Sequence, residues 1–142
     1  MTGKQPKRKP RPGVDEYGRT PLHYAAADGK VEDVVKHLKA GANPNLQDDN
    51  GWSPLHFAAQ AVSPGATEAL LAAGADTGLR DFFGNTALST AVFASKGDGS
   101  VIELLRRAGA DPHATNNNGV SPVSLARTIA NYDVAQFFSD LP

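Results

Sequence analysis

Cysteine is absent from the 142 residues, and methionine and tryptophan occur once each. The lack of thiols excludes disulfides, thiolate nucleophiles and zinc–thiolate sites together. No apolar run approaches the roughly 18 residues needed to span a bilayer. The N-terminus is basic but has no apolar stretch behind it, so it does not read as a secretory signal. A cytoplasmic, monomeric protein without cofactor or metal fits these absences. A chain of this length is expected to form one domain.

Charge is unevenly distributed. Residues 1–13 hold Lys4, Lys7, Arg8, Lys9 and Arg11 and no acid, which leaves nine bases against 15 acids in the remainder. The segment has nothing to bury, and its prolines oppose a helix. A disordered basic arm is therefore expected over 1–13, followed by a folded domain over 14–142. Five cations suit phosphate contacts. The arm nevertheless lacks aromatics to stack on bases, so a solvated leader is the better reading and nucleic acid the runner-up.

The rest of the chain repeats itself. Gly18-Arg19-Thr20-Pro21-Leu22-His23-Tyr24-Ala25-Ala26 returns as Gly51-Trp52-Ser53-Pro54-Leu55-His56-Phe57-Ala58-Ala59, then more weakly from Gly84 and Gly119. These glycines stand 33, 33 and 35 residues apart. Gly41-Ala42-Asn43, Gly74-Ala75-Asp76 and Gly109-Ala110-Asp111 keep the same step. Two interlocked markers at this period resemble the ankyrin repeat. The resemblance implies an all-α solenoid of four helix–turn–helix repeats joined by β-turn or hairpin loops, near 15–47, 48–80, 81–115 and 116–142.

Local chemistry agrees with that reading. Thr20 before Pro21 is an N-cap followed by a proline whose missing N–H costs nothing at the first helical position. Apolar residues at three- and four-residue spacing (Val31, Val34, Val35 and Leu38) mark one buried stripe. Helices are expected near 21–27, 31–40, 54–61, 66–73, 87–94, 100–108 and 132–139, with Pro64 opening the fourth of them. Val134, Phe137 and Phe138 should face inward in the last. The third repeat carries two extra residues in the Ser95-Lys96-Gly97-Asp98-Gly99 loop, which reads as flexible surface. His37 shares its repeat position with Leu70 and Leu105, as an end-of-stack residue would. Arg127 and Gln136 suit a polar C-terminal cap.

Catalytic readings fail on context. His23 and His56 occupy equivalent positions with no converging ligand set, and the resemblance implies that each bonds within its own turn. Gly97-Asp98-Gly99 lacks the Lys-Ser/Thr of a phosphate loop. Asp48, Asp49, Asn50 and Asp76 lack calcium-loop spacing. No enzyme is expected.

Recognition is what remains. The resemblance implies that the turn tips and the exposed side of each first helix line one concave face. Carried onto this sequence, the partner-binding candidates are Tyr17, Arg19, Asp28, Asp49, Trp52, Gln60, Phe82, Phe83, Asn85 and Phe93. Trp52 lies at the centre as anchor. Phe82 and Phe83 are adjacent, so one of them is expected to fold back over its hairpin. Acids at Asp15, Glu16, Asp48, Asp49 and Asp81 point to a protein partner with basic character. The chain also resembles compact ankyrin proteins of bacteria, some of which are immunity proteins. The expected function is thus to hold or inhibit a partner protein. A scaffold or adaptor, or a nucleic-acid-associated regulator using the arm, is the alternative.

Overall fold

The structure is a computed structural model that describes residues 11–142. Among these described residues seven α-helices follow one another: α1 (Pro21–Ala27), α2 (Val31–Lys39), α3 (Pro54–Gln60), α4 (Pro64–Ala72), α5 (Ala87–Ala94), α6 (Ser100–Arg107) and α7 (Pro122–Thr128). A 3-10 turn over Ala135–Phe138 completes the fourth repeat. Inner helices α1, α3, α5 and α7 stack in order, and outer helices α2, α4 and α6 stack behind them. Small residues let the inner layer close up: Ala25, Ala26, Ala58, Ala59 and Ala91 are buried between neighbours. Leu22, Leu55 and Leu88 form a fully buried row, and Val34, Leu70 and Leu105 seal the outer layer. His37, at the position of Leu70 and Leu105, is half-buried beside the hollow at the first-repeat end.

Each inner helix begins at a turn built the same way four times. The Asp15 carboxylate accepts from the amides of Tyr17 and Arg19, Asp48 from Asn50 and Trp52, and Asp81 from Phe83 and Asn85. Asn116 repeats the pattern through its amide oxygen. Such side-chain-to-backbone bonds favour tight turns. Neighbouring turns are then joined through their backbones: Asp49 N donates to Tyr17 O, Phe82 N to Asn50 O and Asn117 N to Phe83 O. Gly51 is needed where these backbones meet. Its φ is +80°, and a Cβ there would lie 2.8 Å from Asp81 Cα.

Helix α4 does open at Pro64, where Ser63 caps it by accepting from Ala66 N. Other expectations need correction. No α-helix forms over 132–139: the chain leaves α7 at Ile129 in an extended conformation, and only a 3-10 turn follows. That turn is held from α6 instead. Arg106 donates to Phe137 O and grips both carboxylate oxygens of Asp140. Val134 and Phe138 are buried as expected, whereas Phe137 is half-buried.

The Phe137 ring lies on Gly99, and Tyr132 lies on Gly97, so the loop between α5 and α6 is covered rather than free. Most of the expected arm lies outside the described residues. Its last part is placed, however: Arg11 pairs across a short turn with Val14 and its Nη2 reaches Asp49 Oδ2 at 2.8 Å.

Candidate functional site

Stacking the inner helices brings their exposed sides and the turn tips into one groove with two adjoining hollows. The first is lined by Arg19, Asp49, Asn50, Trp52, Phe57, Gln60, Phe82 and Phe83. The second includes Asn85, Ser89, Thr90, Phe93, Val120 and Leu125, and shares Trp52, Gln60 and Phe83 with the first. Those three residues divide the hollows.

Eight of the ten expected site residues therefore meet: Arg19, Asp49, Trp52, Gln60, Phe82, Phe83, Asn85 and Phe93. Tyr17 stands beside them, with the Arg19 guanidinium 5.1 Å from its ring centre. Asp28 does not join them. It caps the end of α1 and lines the separate hollow that holds Tyr24 and His37.

The aromatic side chains fall into two groups. Trp52 is half-buried, its ring centre 5.0 Å from Phe57 and 5.6 Å from His56. It packs on the chain and lines both hollows. Phe82, Phe83 and Phe93 are 70%, 68% and 80% exposed. Neither Phe82 nor Phe83 folds back, because the turns are tied by backbone bonds and need no ring to cover them. Together they form an exposed apolar cluster with Phe93 at the rim of the two hollows.

Charge follows a different logic from that expected. Asp48 and Asp81 are buried turn caps, not acidic tips. Asp48 Oδ2 also accepts from Arg19 Nε at 3.0 Å, so Arg19 is a staple between the first two repeats. Its guanidinium lies over Tyr17, Tyr24 and Phe57. Asp49 is engaged by Arg11. Asp15 bonds the Tyr24 hydroxyl. Burial works against the ionised Asp15, but the hydrogen bonds from Tyr24, Arg19 and Tyr17 outweigh it and hold its carboxyl below the usual range.

The histidines serve the fold. Thr20 N donates to His23 Nδ1 at 2.9 Å and Ser53 N to His56 Nδ1 at 3.2 Å, so the proton sits on Nε2. From there His23 donates to Leu46 O and His56 to Asn85 O, one tie to the next repeat each. Burial pushes both imidazoles below their ordinary pKa. Among the described residues, no three His, Asp or Glu side chains converge to hold a metal.

A family model described as ankyrin repeats (3 copies) matches residues 22–116, well over half of the sequence. The chain belongs to the ankyrin-repeat family. The match ends at Asn116, the cap of the fourth turn, so the fourth ankyrin repeat is seen in the structure beyond it. Ankyrin repeats are generally non-enzymatic protein–protein interaction modules. No helix among the described residues is long and apolar enough to cross a membrane.

Sequence reasoning missed Phe57, Thr90 and Leu125, which line the groove from the position after His23's equivalent in each ankyrin repeat. The signal was available. Tyr24, Phe57, Thr90 and Leu125 differ at one repeat position while the residue after each is always alanine, so stacking fixes the second position and leaves the first free to vary.

Proposed function

We propose that this ankyrin protein binds one partner protein in the groove that runs from Trp52 past Phe83 to Phe93, and acts by holding or occluding it. One observation carries the reading: three phenylalanines stand more than two-thirds exposed around two adjoining hollows. A cluster of this kind gains most when a partner desolvates it. The chain then works as a monomeric clamp, and neutralising a toxin, as an immunity protein does, is one form of such occlusion.

Affinity capture tests it. Wild-type protein and the Phe83→Ala/Phe93→Ala double variant are used as baits, and the retained proteins are identified by mass spectrometry. One partner should be retained by wild type and lost from the variant, with the two baits melting within a few degrees of each other. Addition of wild-type protein should suppress that partner's activity at one-to-one stoichiometry. A partner retained equally by both baits places its binding elsewhere and defeats the groove reading.

A further inference from the structure

We propose that the groove accepts an extended, uncharged, proline-containing segment of the partner, which lowers one apolar side chain into each hollow on either side of Gln60. This rests on the groove being the binding face, and goes on to say what enters it.

Charge comes first. The three charged residues lining the hollows are already occupied: Arg19 by Asp48, Asp49 by Arg11, and Asp81 by the amides of Phe83 and Asn85. A charge carried in by the partner would lose water and find its natural counter-ions committed. An uncharged occupant meets no such penalty. This replaces the basic partner that the acidic residues suggest when read from sequence alone.

Hydrogen bonding comes second. Gln60 is exposed on the divide between the hollows, and its side-chain amide makes no bond within the chain. The Trp52 indole N–H beside it is likewise unspent. Both residues line the two hollows, within the path of whatever crosses the divide. A helix could not satisfy them, since its backbone groups are bonded internally. An extended or polyproline II backbone has no internal bonds and offers its carbonyls to such donors. Aromatic-lined grooves are the usual receptors of that conformation. Residues three apart in polyproline II lie about 9 Å from each other, close to the roughly 8–10 Å step between packed helices. One side chain per hollow follows from that match.

The second hollow has its own cause. Ser89 stands at the position of His23 and His56 and lines that hollow. In the first two repeats an imidazole fills the space between the helix start and the next turn. The short serine leaves the space open in the third, and Thr86 Oγ1 is left buried without a partner. Filling it should improve the fold and spoil the site.

Peptides are selected from a random display library on the immobilised full chain, and the winners are titrated while emission from Trp52, the only tryptophan, is read. Winners should carry proline with apolar residues three apart and no excess of charge. Raising salt from low to high should change their affinity by less than about threefold, since no exposed ion pair forms. Ser89→His should weaken binding by about tenfold or more while the melting temperature rises. Gln60→Ala should weaken it as well.

Winners that are mainly acidic or basic, or patterned as an amphipathic helix, overturn the proposal while the groove reading stands. So does unchanged binding to Ser89→His, or enrichment of no peptide at all. Winners that bind Phe83→Ala/Phe93→Ala as well as wild type bring down the groove reading too. Displacement of the winners by an oligo-dT probe would point to single-stranded nucleic acid stacking on the rings, and would also overturn it.

Discussion

Arg19 Nε donates to Asp48 Oδ2 at 3.0 Å across the boundary between the first two repeats. The other oxygen of the same carboxylate accepts from Asn50 N and Trp52 N. One buried group thus closes its own turn and captures the preceding repeat. Asp48→Ala should therefore cost about 3 kcal/mol or more, because it leaves a guanidinium and two amides without their acceptor. The adjacent Asp49→Ala loses a partly exposed ion pair with Arg11 and should cost about 1 kcal/mol at most. Urea unfolding of the two variants compares them directly. Similar losses would mean that Asp48 is no keystone.

Acid should weaken the fold through His23 and His56. Burial lowers both pKa values from 6.5, against the carbonyls of Leu46 and Asn85 that favour the charged form. The unfolded chain binds these protons first. Stability is therefore complete above about pH 6.5 and is lost as pH falls from there towards the depressed folded values. The urea midpoint should be level near neutrality and decline below that point, with a shallower decline in His56→Asn. A midpoint that holds to about pH 5 would show that the imidazoles ionise without penalty.

Gly99 should tolerate no side chain while Phe137 is present. Its φ is an ordinary −87°, so the obstacle is space: a Cβ would lie 2.2 Å from the Phe137 ring. Gly99→Ala should cost about 1–3 kcal/mol. In a Phe137→Ala background most of that cost should vanish. A double-mutant cycle with no coupling would mean that the ring does not rest on this loop.

Ser89→His should stabilise the protein by about 1 kcal/mol, since it supplies Thr86 with the acceptor that His23 gives Thr20. Thermal melting checks this, and a lowered midpoint would show that an imidazole does not fit.

Trp52→Ala should remain folded yet lose about 1–2 kcal/mol, because half of its ring is spent on Phe57 and His56. Circular dichroism and a melt distinguish the cases. Complete unfolding would make the ring purely a structural cover.

The inner helices α1 and α5 were legible residue for residue, since the threonines at their N-cap positions (Thr20 and Thr86) and their Ala-rich runs state where such helices begin and what they can pack against. The end of the array was not. Val134, Phe137 and Phe138 have helical spacing, but Arg106 bonds Phe137 O and Asp140 and draws the segment into a 3-10 turn. The groove was legible through Trp52, Gln60, Phe83 and Phe93, because their repeat positions need no particular residue for the fold. Asp48 and Asp81 were misread for the opposite reason. An acid at a turn looks the same in sequence whether its carboxylate points to solvent or back onto the amides.

Sequence by itself determined the repeat, its register and the identity of the inner face, because each repeat must present the same small and apolar residues to its neighbours to bury a common core. Only the tertiary structure decided which charges are spent and which rings are exposed. Ion pairs such as Arg19–Asp48 and Arg11–Asp49 join residues 29 and 38 positions apart. Local pattern carries no record of such partners. They exist once stacking has brought neighbouring turns within hydrogen-bond reach.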